Sequence, residues 1–330
     1  VENLTKEPIQ AHAMQEPASR DIVFEGSFED VNRLFYENQW SDGLPIVPPS
    51  LDKIDAFLRF TDRDADEVLG KILPDNRSAT VWNVAVNGVM AGCRPEYMPI
   101  LLAMVEAMVD PEYGVEHSGN TPGADTLVIL DGPLSRQLDF NFEQGALRDG
   151  FQANTSIGRF WRLYLRNVAG FLLHQNDKGT FGNTWRVVMA ENTEVLGEIG
   201  WPTVSEDLGA PKDENAVTIS RYTGGNVVVS VFGTDAEHCL PYLAETIAKS
   251  GMSKADVQQW LYENARMPAW KFEKYISGWT NLVPGNRSLV DLVRLGKAPP
   301  EFAESEDPDR LVPIVLAPED FMIAVSGDPL

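Results

Sequence analysis

Apolar residues recur at helical spacing through Val31, Leu34 and Phe35, behind a Ser27 suited to capping a helix and a Glu29–Asp30 pair suited to its first turn. The same reading predicts a helix from Leu51 to about Phe60 behind Ser50. It also predicts helices over Ser78–Met90 and Pro95–Val109, broken at Ala91-Gly92-Cys93-Arg94. Thr126–Leu130 reads as a short buried strand closed by the turn Asp131-Gly132-Pro133. An amphipathic helix starts near Asn154-Thr155-Ser156 and extends to about His174. Further on, Arg186–Met189, Ala216–Tyr222 and Asn226–Phe232 read as strands, the last two joined as a hairpin through Thr223-Gly224-Gly225. Helices over Ala236–Ser250 and Ser253–Met267 precede final strands over Val312–Leu316 and Phe321–Val325.

Two stretches lack a period. Residues 1–26 are polar and carry Pro8 and Pro17, which predicts either a disordered lead-in or an extended arm, the latter lying on a partner subunit. Between Trp40 and Ser50, Pro45, Pro48 and Pro49 fix three φ angles and make a stiff apolar loop, either a packing joint or a pocket wall that presents Asp42. Together the pattern predicts a helix-rich, mixed α/β fold. A central mixed sheet carries flanking helices, and one domain over residues 27–330 follows the arm.

Composition narrows the function. The chain has 330 residues, 43% of them hydrophobic, and a formal charge of −22, which repels phosphate backbones and anionic lipid surfaces. Nucleic acid and membranes are therefore not expected as partners, and the first thirty residues lack the profile of a secretory signal, which points to the cytoplasm. Cys93 and Cys239 are far apart, and His12, His117, His174 and His238 have no ligand spacing, so neither a disulfide framework nor a local metal site is written. No nucleotide fingerprint occurs, and no cofactor is indicated.

Against this acidic background, no Asp or Glu occurs between Asp149 and Asp177, where Arg159, Arg162 and Arg166 share one helix face. Three guanidiniums so placed suit a carboxylate or phosphate, because the planar fork makes paired hydrogen bonds and stays charged; the other reading is an exposed face paired with acids from elsewhere in this acid-rich chain. Asn154 and Asn167 are candidates to orient the bound group, and Asn87 and Asn83, four apart on a valine-rich helix, either satisfy backbone groups or line a polar pocket. Cys93 lies beside Arg94 and just ahead of a helix start, two features that favour thiolate and make it a candidate nucleophile; the other reading is a buried, inert cysteine between two helices. Asp42 and Glu96 are candidate general acids or bases.

Three stretches carry a family likeness: Ser41-Asp-Gly-Leu-Pro-Ile-Val-Pro-Pro49, Val86-Asn-Gly-Val-Met-Ala-Gly-Cys-Arg-Pro-Glu-Tyr97, and Asn154-Thr-Ser-Ile-Gly-Arg159 continuing through Arg162 to Leu165-Arg-Asn-Val-Ala-Gly170. In this order they resemble bacterial proteins associated with the UGSC-motif (seleno)protein family, distantly related to the selenoprotein B components of glycine and proline reductases. The resemblance implies a redox nucleophile carried on a Cys-Gly-Ser-Cys or selenocysteine-Gly-Ser-Cys segment. This sequence contains no such segment, so the resemblance implies that a small thiol- or selenol-bearing partner supplies it, or that it lies beyond the end of this sequence.

The resulting expectation is a subunit of a hetero-oligomeric enzyme that cleaves a carbon–heteroatom bond in a small anionic organic substrate. Two alternatives stand beside it: a redox-free hydrolase or lyase based on Asp42 or Glu96, with or without a metal, and a scaffold whose arginine face docks an acidic partner.

Overall fold

A computed structural model describes residues 20–119, 124–143, 145–179, 188–222, 253–277 and 288–326. The strand Asn226–Phe232 and the helix Ala236–Ser250, with His12, His238 and Cys239, lie outside the described residues.

Helix α3 (Val81–Ala91) is the axis of the main core. Nine of its eleven residues are buried, among them Val81, Trp82, Val84, Val89 and Met90, so it packs on all sides rather than along one stripe. Around it lie α2 (Leu51–Leu58), α4 (Met98–Val109) and α6 (Gln152–Tyr164). Gly88 makes the close approach possible: a Cβ there would sit 2.7 Å from Phe57 Cε1 and 2.8 Å from Leu101 Cδ1. Gly92, at φ +81°, ends α3 in the left-handed conformation, and its N–H bonds back to Gly88 and Val89.

The predicted helix start at Ser78 is corrected. Arg77–Thr80 forms strand β2, paired antiparallel with β1 (Val68–Ile72), and the Thr80 hydroxyl then caps α3 by accepting from Asn83 N at 3.2 Å. Ahead of these elements, α1 (Phe28–Glu37) starts at Ser27 in a reciprocal capping box with Asp30. Its buried Asn32 accepts from Ile46 N at 2.7 Å and so pins the proline loop to the helix.

The central sheet has the order β4-β3-β5. Strand β3 (Asp125–Asp131) runs parallel to β4 (Val188–Ala190) and antiparallel to β5 (Ala216–Tyr222), as a mixed sheet requires. Helix α5 (Leu134–Gln137) follows β3, while α7 (Thr193–Ile199) and α8 (Val204–Asp207) follow β4. A separate apolar cluster, including Phe272, Leu289, Leu292, Phe302 and Val312, holds the C-terminal elements. These are β6 (Arg266–Pro268), α10 (Ala269–Ser277), α11 (Leu289–Arg294) and β7 (Leu311–Pro313), preceded by α9 (Lys254–Asn264) with its Ser253–Asp256 capping box. The expected strand over Phe321–Val325 is not formed. That segment runs singly, with Phe321 O accepting from Gln258 Nε2 at 2.8 Å, and places Ile323 and Val325 against Leu196, Trp201 and Val257.

Candidate functional site

The arginine helix differs from its sequence reading at both ends. It begins at Gln152, two residues earlier than Asn154, and passes at Leu165 into a π turn that Gly170 closes at φ +91°. Asn154 therefore lies inside the helix, fully buried. Its Oδ1 accepts from Asn141 N at 2.9 Å, and its Nδ2 donates to Asn141 O at 3.0 Å and Val188 O at 2.8 Å. The side chain ties α6 to β4 and lines neither hollow described below.

The arginines share a face, as expected, but Arg159 and Arg162 carry counter-charges from other segments. Arg159 makes paired bonds to Asp42, Nε to Oδ2 at 3.1 Å and a terminal nitrogen to Oδ1 at 2.9 Å, and it also donates to the carbonyls of Leu44 and Pro45. Arg162 pairs with Asp177 at 3.2 Å, and Arg166 donates to Gln39 O at 3.4 Å. A hollow bordered by Asp42, Arg162 and Arg166 holds only about 30 Å³. One water occupies about this much of the liquid, so an organic substrate does not fit there.

The remaining candidates separate as well. Cys93 is buried, and removal from water pushes its thiol up to about 12, outweighing a Ser156 hydrogen bond and the Arg159 charge that act in the other direction. Of the two readings of Cys93 the structure favours the neutral core thiol, because desolvation outweighs the helix terminus and the neighbouring charge. Glu96 is exposed in the turn before α4, and Asp42 is committed to Arg159, so neither stands where a substrate could meet an unengaged base.

The structure instead opens a cleft of about 700 Å³ on the other side of the proline loop. Its floor is α3, where Trp82, Val86 and Met90 follow one another every four residues on one face. Phe35 of α1 meets Trp40 edge-on at 5.4 Å on one wall, while Pro48, Pro49 and Ile54 form another. The extended segment 20–26 crosses the mouth. Ile22, Val23 and Phe24 line the cleft yet remain 65, 54 and 41% exposed, so the segment lies along the opening without being packed into it. Arg20 holds the near end, 4.9 Å above the Trp82 ring and 2.7 Å from Asp66.

Two of the predicted polar residues meet at this cleft. Asn87 Nδ2 donates to Asn83 O at 2.9 Å, which turns Asn87 Oδ1 toward Asn167, whose Nδ2 donates to it at 3.0 Å. This chain of bonds sets both amide orientations and leaves Asn167 Oδ1 buried without a donor. Sequence reasoning missed the cleft's other members, Trp82 and segment 20–26. No local motif marks either, since one is a helix residue among apolar neighbours and the other belongs to an aperiodic stretch.

Among the described residues, no group of three His, Cys, Asp or Glu side chains is placed to hold a metal ion, and no helix is long and apolar enough to cross a membrane. Comparison with protein-family models, with curated proteins and with solved structures finds no match.

Proposed function

We propose that this chain is the ligand-holding subunit of an enzyme acting on small organic molecules, and that the cleft over α3 is where the molecule sits. The observation that carries this reading is the cleft itself: about 700 Å³, walled by Trp82, Phe35, Trp40 and Met90, with the Asn87–Asn167 amide pair at its base. Sites for small ligands have this size and this mixture of apolar wall and few polar groups. The occupant is an apolar body with one hydrogen-bonding end. The mouth carries Asp21 and Glu25 against Arg20, a balance that favours a neutral molecule over the anion expected from the arginine row.

The chemistry comes from elsewhere. Cys93 lies outside the cleft and is held neutral, and among the described residues none that lines the cleft is a thiol or histidine, so a partner's thiol or selenol serves as nucleophile in this reading. The resemblance to proteins associated with the UGSC-motif family supports that division of labour. Ligand-observed fluorine NMR with a set of neutral and anionic fragments tests the binding claim. Hits that compete with one another and vanish in Val86→Trp support it. An absence of hits, or hits indifferent to that substitution, would remove it.

A further inference from the structure

Two carboxyl side chains, Asp131 and Glu191, lie together at the carboxyl ends of the parallel strands β3 and β4, each only 1% exposed. Neither is bound by an arginine or lysine among the described residues. Three backbone donors reach their four oxygens: Val204 N to Glu191 Oε2 at 2.7 Å, Val325 N to Glu191 Oε1 at 3.0 Å, and Ser205 N to Asp131 Oδ2 at 3.2 Å. Asp131 Oδ1 is buried with no donor. A proton shared between the two carboxyls supplies that donor and removes one of two like charges from a buried site.

The bonded segments have little else in common. Val204 and Ser205 open α8, while Val325 belongs to the lone segment 323–326. That segment is also held by Asn192 N to Val325 O at 2.8 Å and by Ser326 Oγ to Ala190 O at 2.7 Å. Other charged groups on the surrounding elements are engaged elsewhere: Glu206 with Thr203 N, Asp207 with Lys254, and Glu194 with Arg136, while Asp213 and Glu214 ahead of β5 are exposed.

We propose that Asp131 and Glu191 form a proton-operated clasp: the shared proton holds segment 323–326 and the start of α8 to the sheet edge, and its loss loosens that segment. Burial, followed by the hydrogen bond and charge of Asp131, raises the Glu191 carboxyl from 4.5 to about 8, and the Val204 and Val325 amides offset only part of this. A raised carboxyl gives the clasp its full strength below the ordinary carboxylate range, and that strength is lost as pH rises through the shifted value. Opening therefore releases a proton between those limits. Its equilibrium constant grows with pH there, by at most about tenfold per unit, and levels off above.

Hydrogen–deuterium exchange read by mass spectrometry tests this, with rates corrected for intrinsic chemistry between about pH 5.5 and 9. Peptides covering 203–206 and 321–326 should lose protection with rising pH while the α4 peptide holds. Asp131→Asn, whose amide replaces the shared proton as donor, should make the profile shallower, because burial alone then raises Glu191. A flat wild-type profile, an unchanged slope in Asp131→Asn, or parallel loss of protection everywhere would overturn the clasp. Should that variant fail to fold, wild-type infrared spectra decide: a protonated carboxyl band at pH 6 that is gone by pH 9 supports the proposal, and no such band at pH 6 refutes it.

Discussion

Replacing Arg159 with Met distinguishes an arginine that holds the fold from one that holds a ligand. The wild-type guanidinium makes two bonds to Asp42 and one each to Leu44 O and Pro45 O, with the arginine side chain 19% and the aspartate 7% exposed. Removing one partner of a buried ion pair leaves the other charge uncompensated, at about 3–5 kcal/mol. Water can reach part of this arginine, so the low end, about 3 kcal/mol, applies. With an unfolding entropy of roughly 2.1 cal/mol/K per residue, a chain of 330 residues changes by about 0.7 kcal/mol per degree, so Tm should fall by about 4 °C. Calorimetry measures this directly. Adding Asp42→Asn should restore part of the loss, with a coupling of about 2 kcal/mol in the double-mutant cycle. A variant with unchanged Tm but no ligand binding would refute the reasoning, because the arginine would then serve the ligand and not the proline loop.

With its thiol held neutral by burial, Cys93 should escape alkylation in the native protein at pH 8 and react only on unfolding; peptide mapping reads this, and stoichiometric native labelling would contradict it. Gly88→Ala should lower stability by about 1–2 kcal/mol in denaturant unfolding, because overpacking Phe57 and Leu101 outweighs the gain in helix propensity; a more stable variant would show that α2 and α4 can yield.

Legibility in the sequence followed the range of the interaction. Ser27, Ser50 and Ser253 mark helix starts within one turn of themselves, and Gly92 marks a helix end, so α1, α2, α3 and α9 were readable to within a few residues. The arginine face was readable for the same reason. Its partners were not: Asp42 lies 117 residues from Arg159 and belongs to a loop whose local pattern shows only stiffness. Strand β2 was absorbed into the following helix because its identity comes from pairing with Val68–Ile72, while its own four residues carry no alternation. The carboxyl pair is a similar case, since Asp131 reads as a turn residue and Glu191 as an ordinary acid until the parallel pairing of β3 and β4 brings them together. Of the polar candidates, Asn87 and Asn167 converge on the cleft because the π turn carries Asn167 over α3.

In the proposed function the ligand enters the cleft between α3 and segment 20–26 and not the arginine face. A crystal structure of the protein soaked with the tightest fragment is the decisive measurement. Density is expected against Trp82 and Met90, within hydrogen-bonding reach of the Asn87–Asn167 pair. Density between Arg162 and Arg166, with Asp42 or Asp177 displaced, would contradict it.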